Sequence, residues 1–277
     1  YNMKKILVPL DFSVQSMHAI KLASKIANKT DIEVFLLHMI QIPEGHVDMG
    51  SGSDFGVPQS MHYIQKVKEK VQAFRAQFFN ESISVKYALR FESPYEGILK
   101  FSARIKPDLI IMGSKDKSII DELLIGSLAK KVARESKIPI LAINKDPEDL
   151  KIKELVFVSN FDEENRKSFE VLLDFTQKFE SKIHLLNVNT MNKFRSTKRA
   201  KQKMIDFLQK YNTRQHSINI YNDDSIEKGV TNFSKEINAD VIALSTHESS
   251  GIFRLFSKSI SKSISKKSLK PVFTFFI

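Results

Sequence analysis

The sequence predicts an α/β chain made of two tandem open five-stranded parallel sheets with helices on both faces. Three observations lead there. Short apolar runs that read as buried strands alternate with longer amphipathic stretches that read as helices. The same series of elements is written twice within 277 residues. Between the copies lies a polar linker, Lys145-Asp146-Pro147-Glu148-Asp149.

In the first copy, Ile6-Leu7-Val8-Pro9-Leu10 is the opening strand. Asp11-Phe12-Ser13 follows, and either Asp11 or Ser13 can cap the next helix, which carries Ile20, Ala23, Ile26 and Ala27 at helical spacing. Ile32 to Met39 is the second strand. Residues 40–58, with Pro43, Gly45, Gly50, Gly52, Gly56 and Pro58, break the pattern and read as a loop. A long helix from Gln59 to Phe79 places Ile64, Val67, Val71, Phe74 and Phe78 on one side. Ile83 to Arg90 is the third strand, and Pro94 opens a helix with Ile98, Leu99, Phe101 and Ile105. The fourth strand, Asp108 to Met112, stops at Gly113. A loop then runs to Gly126, just before a helix with Leu128, Ala129, Val132 and Ala133. Pro139 to Ile143 closes the copy. A strand, a glycine, a loop, a second glycine and a helix start make a place where backbone N–H groups can face an anion, though two turn glycines alone fit an ordinary connection equally well.

The second copy starts with Leu155-Val156-Phe157-Val158-Ser159-Asn160-Phe161-Asp162, which matches Val8 to Ser13 at an offset of 149 residues, as Ile183 to Val188 matches Val34 to Met39. Ala239-Asp240-Val241-Ile242 matches Pro107-Asp108-Leu109-Ile110, and Lys270-Pro271-Val272-Phe273 matches Ile138-Pro139-Ile140-Leu141, at an offset of 132. The second copy therefore largely lacks the loop at 40–58. Residues 3–145 and 152–277 are the two expected domains.

Composition bounds the function. With no cysteine there is no disulfide and no cysteine-ligated metal site. No apolar run approaches ~18 residues and no leader pattern stands at the start, so the expectation is a cytoplasmic chain without membrane partners. The formal charge is +11. Its excess sits in the second copy, in Lys193 to Lys203 and Lys258 to Lys270; such runs are commonly a solvated helix face, with nucleic acid as a remoter partner. The seven histidines lack metal-ligand spacing. No Gly-x-Ser-x-Gly, Walker lysine motif or carboxylate pair stands out, so no catalytic residue and no metal site is named, and His38 reads as a strand-end residue that orders a loop.

Three stretches, Val8-Pro9-Leu10-Asp11-Phe12-Ser13, Leu36-Leu37-His38-Met39 and the spaced glycines, make the chain resemble the universal stress protein family in its tandem two-domain form. The family's pattern is Gly, two residues, Gly, nine residues, Gly, then Ser or Thr. This chain has Gly113, Asp116 where the second glycine belongs, and Gly126-Ser127. The resemblance implies strand order 3-2-1-4-5 in each half and a ligand crevice where strands 1 and 4 part. It implies ATP or a related adenine nucleotide, with Mg2+, in the first half. Pro9, Leu10 and Asp11 would lie at the ribose, Met39 at the adenine edge, and Met112, Gly113, Asp116, Gly126, Ser127 and Leu128 along ribose and phosphates.

Asp116 weighs against phosphate, because a carboxylate within ~4 Å of it costs roughly a few kcal/mol at an effective dielectric of ~20. Lys115 and Lys117 can offset that charge, or Asp116 can point outward or hold a magnesium ion. In the second half Ser245, Glu248, Lys258 and Ser259 stand at the motif positions and Asn160 replaces Asp11, so no ATP is expected there. The resemblance also implies that the last strands, Ile140 to Ile143 and Val272 to Ile277, pair to form an intramolecular pseudo-dimer.

The reading is a stress-response sensor or adaptor, with at most slow ATP hydrolysis. Its alternative is a scaffold that binds a protein or another small ligand. A protein partner of unknown identity and a homodimer of the two-domain chain are further expectations.

Overall fold

The computed structural model describes residues 3–29, 31–40, 56–114, 127–213, 215–246 and 270–276. The first half runs β1 (Lys5–Leu10), α1 (Val14–Ala27), β2 (Glu33–Met39), α2 (Gly56–Phe78), β3 (Val85–Arg90), α3 (Pro94–Ile105), β4 (Leu109–Gly113), α4 (Ser127–Ser136) and β5 (Ile140–Ile143). The second half runs β6 (Glu154–Val158), α5 (Arg166–Phe179), β7 (Lys182–Asn189), α6 (Thr197–Leu208), β8 (His216–Asn222), α7 (Ile226–Glu236), β9 (Val241–Thr246) and β10 (Val272–Phe276). The loop expected over 40–58 falls mostly outside the described residues. α2 begins at Gly56, three residues before the expected Gln59.

All ten strands share one sheet in the order β3-β2-β1-β4-β5-β10-β9-β6-β7-β8. Each half keeps the expected 3-2-1-4-5 order with parallel neighbours, and the halves join where β10 pairs antiparallel with β5, Phe273 opposite Leu141. The two five-stranded sheets are thus one continuous surface, which is the expected pseudo-dimer.

Two apolar cores cover the two faces. α1, α2, α5 and α6 bury residues such as Ile20, Val71, Phe169 and Phe207 on one face. On the other, α3, α4 and α7 bury Phe101, Val132 and Phe233. Because α1 follows β1 to one face and α4 follows β4 to the other, the chain leaves the sheet in opposite directions between two neighbouring strands. That divergence opens a crevice at the strand ends.

The repeat is visible in side-chain detail. Asp108 Oδ2 accepts from the backbone N–H groups of Lys4 at 2.8 Å and Lys5 at 2.9 Å. Its counterpart Asp240 accepts from Lys153 at 2.7 Å and Glu154 at 3.0 Å. Each carboxylate ties the start of the fourth strand of its half to the start of the first. The two phenylalanines that follow the first strands share a left-handed backbone, Phe12 with φ 62° and Phe161 with φ 57°.

No helix among the described residues is long and apolar enough to cross a membrane. Replacing Asp108 by alanine removes two charge-assisted bonds, and urea unfolding is expected to show a loss of about 2–3 kcal/mol. Asp240→Ala should cost a similar amount. A loss below ~0.5 kcal/mol, the level of a neutral surface change, would show that the strand pairing does not depend on these bonds.

Candidate functional site

β1 ends in Leu10, and the next three residues turn the chain into α1. Ser13 caps the helix, its hydroxyl accepting from the N–H of Ser16 at 3.3 Å. Asp11 is not the cap. Its Oδ1 instead accepts from the backbone N–H of Ser13 at 3.0 Å and from the Ser13 hydroxyl, so it builds the turn while remaining exposed. The two capping alternatives thus resolve into two linked roles.

Beside this turn lies a cavity of about 740 Å3. Its walls are the end of β1 with Asp11, Phe12 and Ser13, the ends of β2 and β4, the first turn of α4, and faces of α2 and α3. Eight of the ten residues expected at a site, Pro9, Leu10, Asp11, Met39, Met112, Gly113, Ser127 and Leu128, line it together. Asp116 and Gly126, with Lys115 and Lys117, lie outside the described residues. The cavity also has walls that sequence reasoning missed: His38 from β2, Pro94 and Ile98 from α3, and Tyr63, Lys66 and Lys70 from α2. The spacing of Tyr63, Lys66 and Lys70 around Val67 puts them beside the apolar stripe of α2 but does not say whether they meet solvent or a cavity.

Local packing fixes several of these groups. The Phe12 ring lies 4.5 Å from the His38 ring and 5.5 Å from Phe74 between centroids, with Lys70 Nζ 4.3 Å above it. His38 Nδ1 is 2.9 Å from the Leu10 carbonyl oxygen. A carbonyl only accepts, so Nδ1 carries the proton and Nε2 is left as an acceptor. Burial pushes the His38 pKa below the ordinary imidazole value; the Leu10 hydrogen bond and the Asp11 charge oppose this, and Lys70 adds to it. The ring is therefore neutral at pH 7. Where a bond ordering a loop was expected of His38, the ring bonds instead the last residue of β1, one residue before Asp11.

Gly113 has a packing reason of its own. A Cβ at this position would stand 2.3 Å from the backbone carbon of Gln15 and 2.7 Å from the nitrogen of Ser16. No side chain fits between β4 and the first turn of α1. In the second half the equivalent position is Ser245, whose hydroxyl donates to Asn165 Oδ1 at 2.7 Å. There a 3-10 turn over Glu163–Asn165 takes the place of the first turn of α1, and the regular helix starts only at Arg166. The matching crevice shrinks to about 60 Å3, lined in part by Asn160, Asn187, Lys193 and Arg195. Asn189 pins the adjoining segment by bonding both the N–H and the carbonyl of Arg195, at 3.2 and 3.0 Å.

The chain is thus a doubly wound α/β protein with a crevice at the switch point of its sheet, the usual ligand position in such sheets. Residues 2–144 match the universal stress protein family, and the chain belongs to that family. It is 28% identical over 147 residues to the universal stress protein MJ0531 of Methanocaldococcus jannaschii, covering 51% of this chain and 82% of the relative. It is also 28% identical over 154 residues to universal stress protein MJ0577 of the same organism, covering 51% and 95%. Over its whole length it superposes on a universal stress protein from Archaeoglobus fulgidus with a TM-score of 0.73 at 17% identity, covering 100% of this chain and 99% of that one. That last likeness extends the shared fold to both halves.

Gly113→Ala forces a methyl group into backbone and is expected to destabilise the protein by about 1–3 kcal/mol in denaturant titrations. Ser245→Gly opens no clash but leaves the buried Asn165 oxygen without its donor, and should cost about 1–3 kcal/mol for that different reason. A loss below ~0.5 kcal/mol for Gly113→Ala, the level of a neutral surface change, would refute the packing role given to Gly113.

Proposed function

We propose that this chain is a stress-response sensor or adaptor that binds one adenine nucleotide, ATP or a relative, in the crevice of its first half. The observation that carries this is the 740 Å3 cavity, in which the Asp11 turn and the start of α4 meet. Sugar hydroxyls suit a carboxylate, and phosphate oxygens suit the free N–H groups of a helix start. Pro9, Leu10, Asp11 and Met39 would hold the nucleoside; Met112, Gly113, Ser127 and Leu128 would line ribose and phosphates, with Asp116 and Gly126 in the connecting loop. The two halves, 3–145 and 152–277, act as domains of unequal role, and the second takes no nucleotide.

Among the described residues no cluster of three or more His, Asp or Glu could hold a metal ion. Magnesium would therefore arrive with the nucleotide's phosphates, with Asp116 the one carboxylate of the motif that could meet it. The role supported best is that of a binder whose bound state is read by a partner in the cytoplasm.

Calorimetric titration with Mg-ATP is expected to saturate at one nucleotide per chain, and ATP at 100 times Kd should add about 2.7 kcal/mol of stability. Asp11→Ala should weaken binding at least roughly tenfold, the loss of about 1.4 kcal/mol of hydrogen bonding to a charged group. Asp116→Gly should tighten it by up to about two decades if that carboxylate faces phosphate. Absence of any binding would favour a scaffold, and two nucleotides per chain would overturn the assignment to the first half.

A further inference from the structure

We propose that His38 is a hydrogen-bond acceptor for the nucleoside part of the ligand and so sets which end of the nucleotide lies over β1 and β2. This rests on the nucleotide reading above and sharpens it. His38 lines the 740 Å3 cavity and is 8% exposed. Its Nδ1–H is committed to the Leu10 carbonyl at 2.9 Å, so Nε2 is the one polar atom the ring has left to offer. Nε2 has no hydrogen-bond partner among the described residues, and Phe12, wedged between the imidazole and Phe74 under Lys70, holds the ring in place.

An acceptor chooses its ligand atom by chemistry. Phosphate oxygens only accept and gain nothing from an unprotonated imidazole nitrogen, whereas ribose hydroxyls and an exocyclic amine donate. Asp11, the neighbouring cavity residue, is also an acceptor. The two together make the β1–β2 end of the cavity complementary to a nucleoside and leave phosphate to the donors at the start of α4. The same chemistry makes binding sensitive to acid, because a proton on Nε2 turns the acceptor into a donor. The charges that bear on the ring are Asp11 from the turn after β1 and Lys70 from α2, with Lys66 also on the α2 wall of the cavity. On β3 the residue paired with His38 is Leu89, and the adjacent Arg90 lies 5.4 Å from the Phe101 ring, which belongs to the core of the opposite face.

The test is calorimetry of the full chain with adenosine, which has no phosphate to titrate, and in parallel with Mg-ATP, from about pH 5 to about pH 8. The wild-type affinity for adenosine is expected to hold steady from about pH 8 down through the ordinary imidazole value and to weaken only below it, because burial lowers the His38 pKa. His38→Phe, which keeps a ring against Phe12, should bind adenosine roughly three- to tenfold weaker at the alkaline end, the worth of one hydrogen bond, and lose the pH dependence. His38→Gln, whose amide oxygen accepts, should recover most of the alkaline affinity. Melting curves of each variant establish that folded protein is being compared. His38→Phe binding adenosine as tightly as wild type at the alkaline end, with the variant folded, overturns the role of His38 while leaving nucleotide binding intact. Wild-type protein that binds neither ligand overturns the nucleotide reading and this inference with it.

Discussion

The crevice depends on how closely the first turn of α1 can approach the end of β4. The gap between them is too narrow for a methyl group, since a Cβ on Gly113 would lie 2.3 Å from Gln15 backbone. With glycine there, α1 starts at once after Ser13, and the Asp11 turn comes to rest beside the start of α4. With Ser245 in the same place, the chain inserts a 3-10 turn and uses Asn165 to satisfy the serine hydroxyl; among the described residues the crevice of that half measures 60 Å3 against 740 Å3. The two halves share a topology and differ at this contact, as they do in the length of their second helix, 23 residues in α2 against 12 in α6. The glycine that looks like a phosphate-approach residue is first of all a helix-packing residue, and the cavity follows from the packing.

The retention of a half with a closed crevice has a structural account. β5 is only four residues long and fully buried, and an edge of that kind left open would pair with any available strand. β10 covers it. Phe273 stacks on Phe275 at 4.8 Å and meets Phe175 edge-on at 5.3 Å, so the joining strand is tied into the core beneath α5. The second half therefore completes the sheet of the first, and this duty constrains its apolar faces while leaving its crevice free to change.

Much of this was legible in the sequence. Element order and the repeat follow from periodicity, because buried strands and amphipathic helices leave different spacings. The pairing of the last strands and eight cavity-lining positions at the ends of β1, β2 and β4 and the start of α4 came from the family resemblance, whose residues sit at strand ends where small offsets do not move them. Contributions that depend on how elements cross were not legible. Lys66 and Lys70 flank the apolar stripe of α2, and whether such residues face solvent or a cavity is set by the helix's angle over the sheet. His38 reads as a generic strand-end residue until the Leu10 carbonyl is seen opposite its Nδ1. Asp11 and Ser13 could each cap α1 on paper, and only the geometry shows the serine capping and the aspartate holding the serine.

The charge of the chain and the chemistry of its crevice act on different scales. A formal charge of +11 raises the concentration of anions near the whole surface, most strongly around the second half, where the excess lies. Such a field falls off within ~8 Å at physiological salt and does not distinguish one phosphate ester from another. Discrimination has to come from short-range groups inside the cavity. There the first half sets a carboxylate and a neutral imidazole on the β1–β2 side against backbone donors at the start of α4, whereas the second half has replaced the carboxylate with Asn160 and closed the space. On the proposed reading, the half that carries most of the charge is the half without a nucleotide, and the groups that would select one sit in the other half.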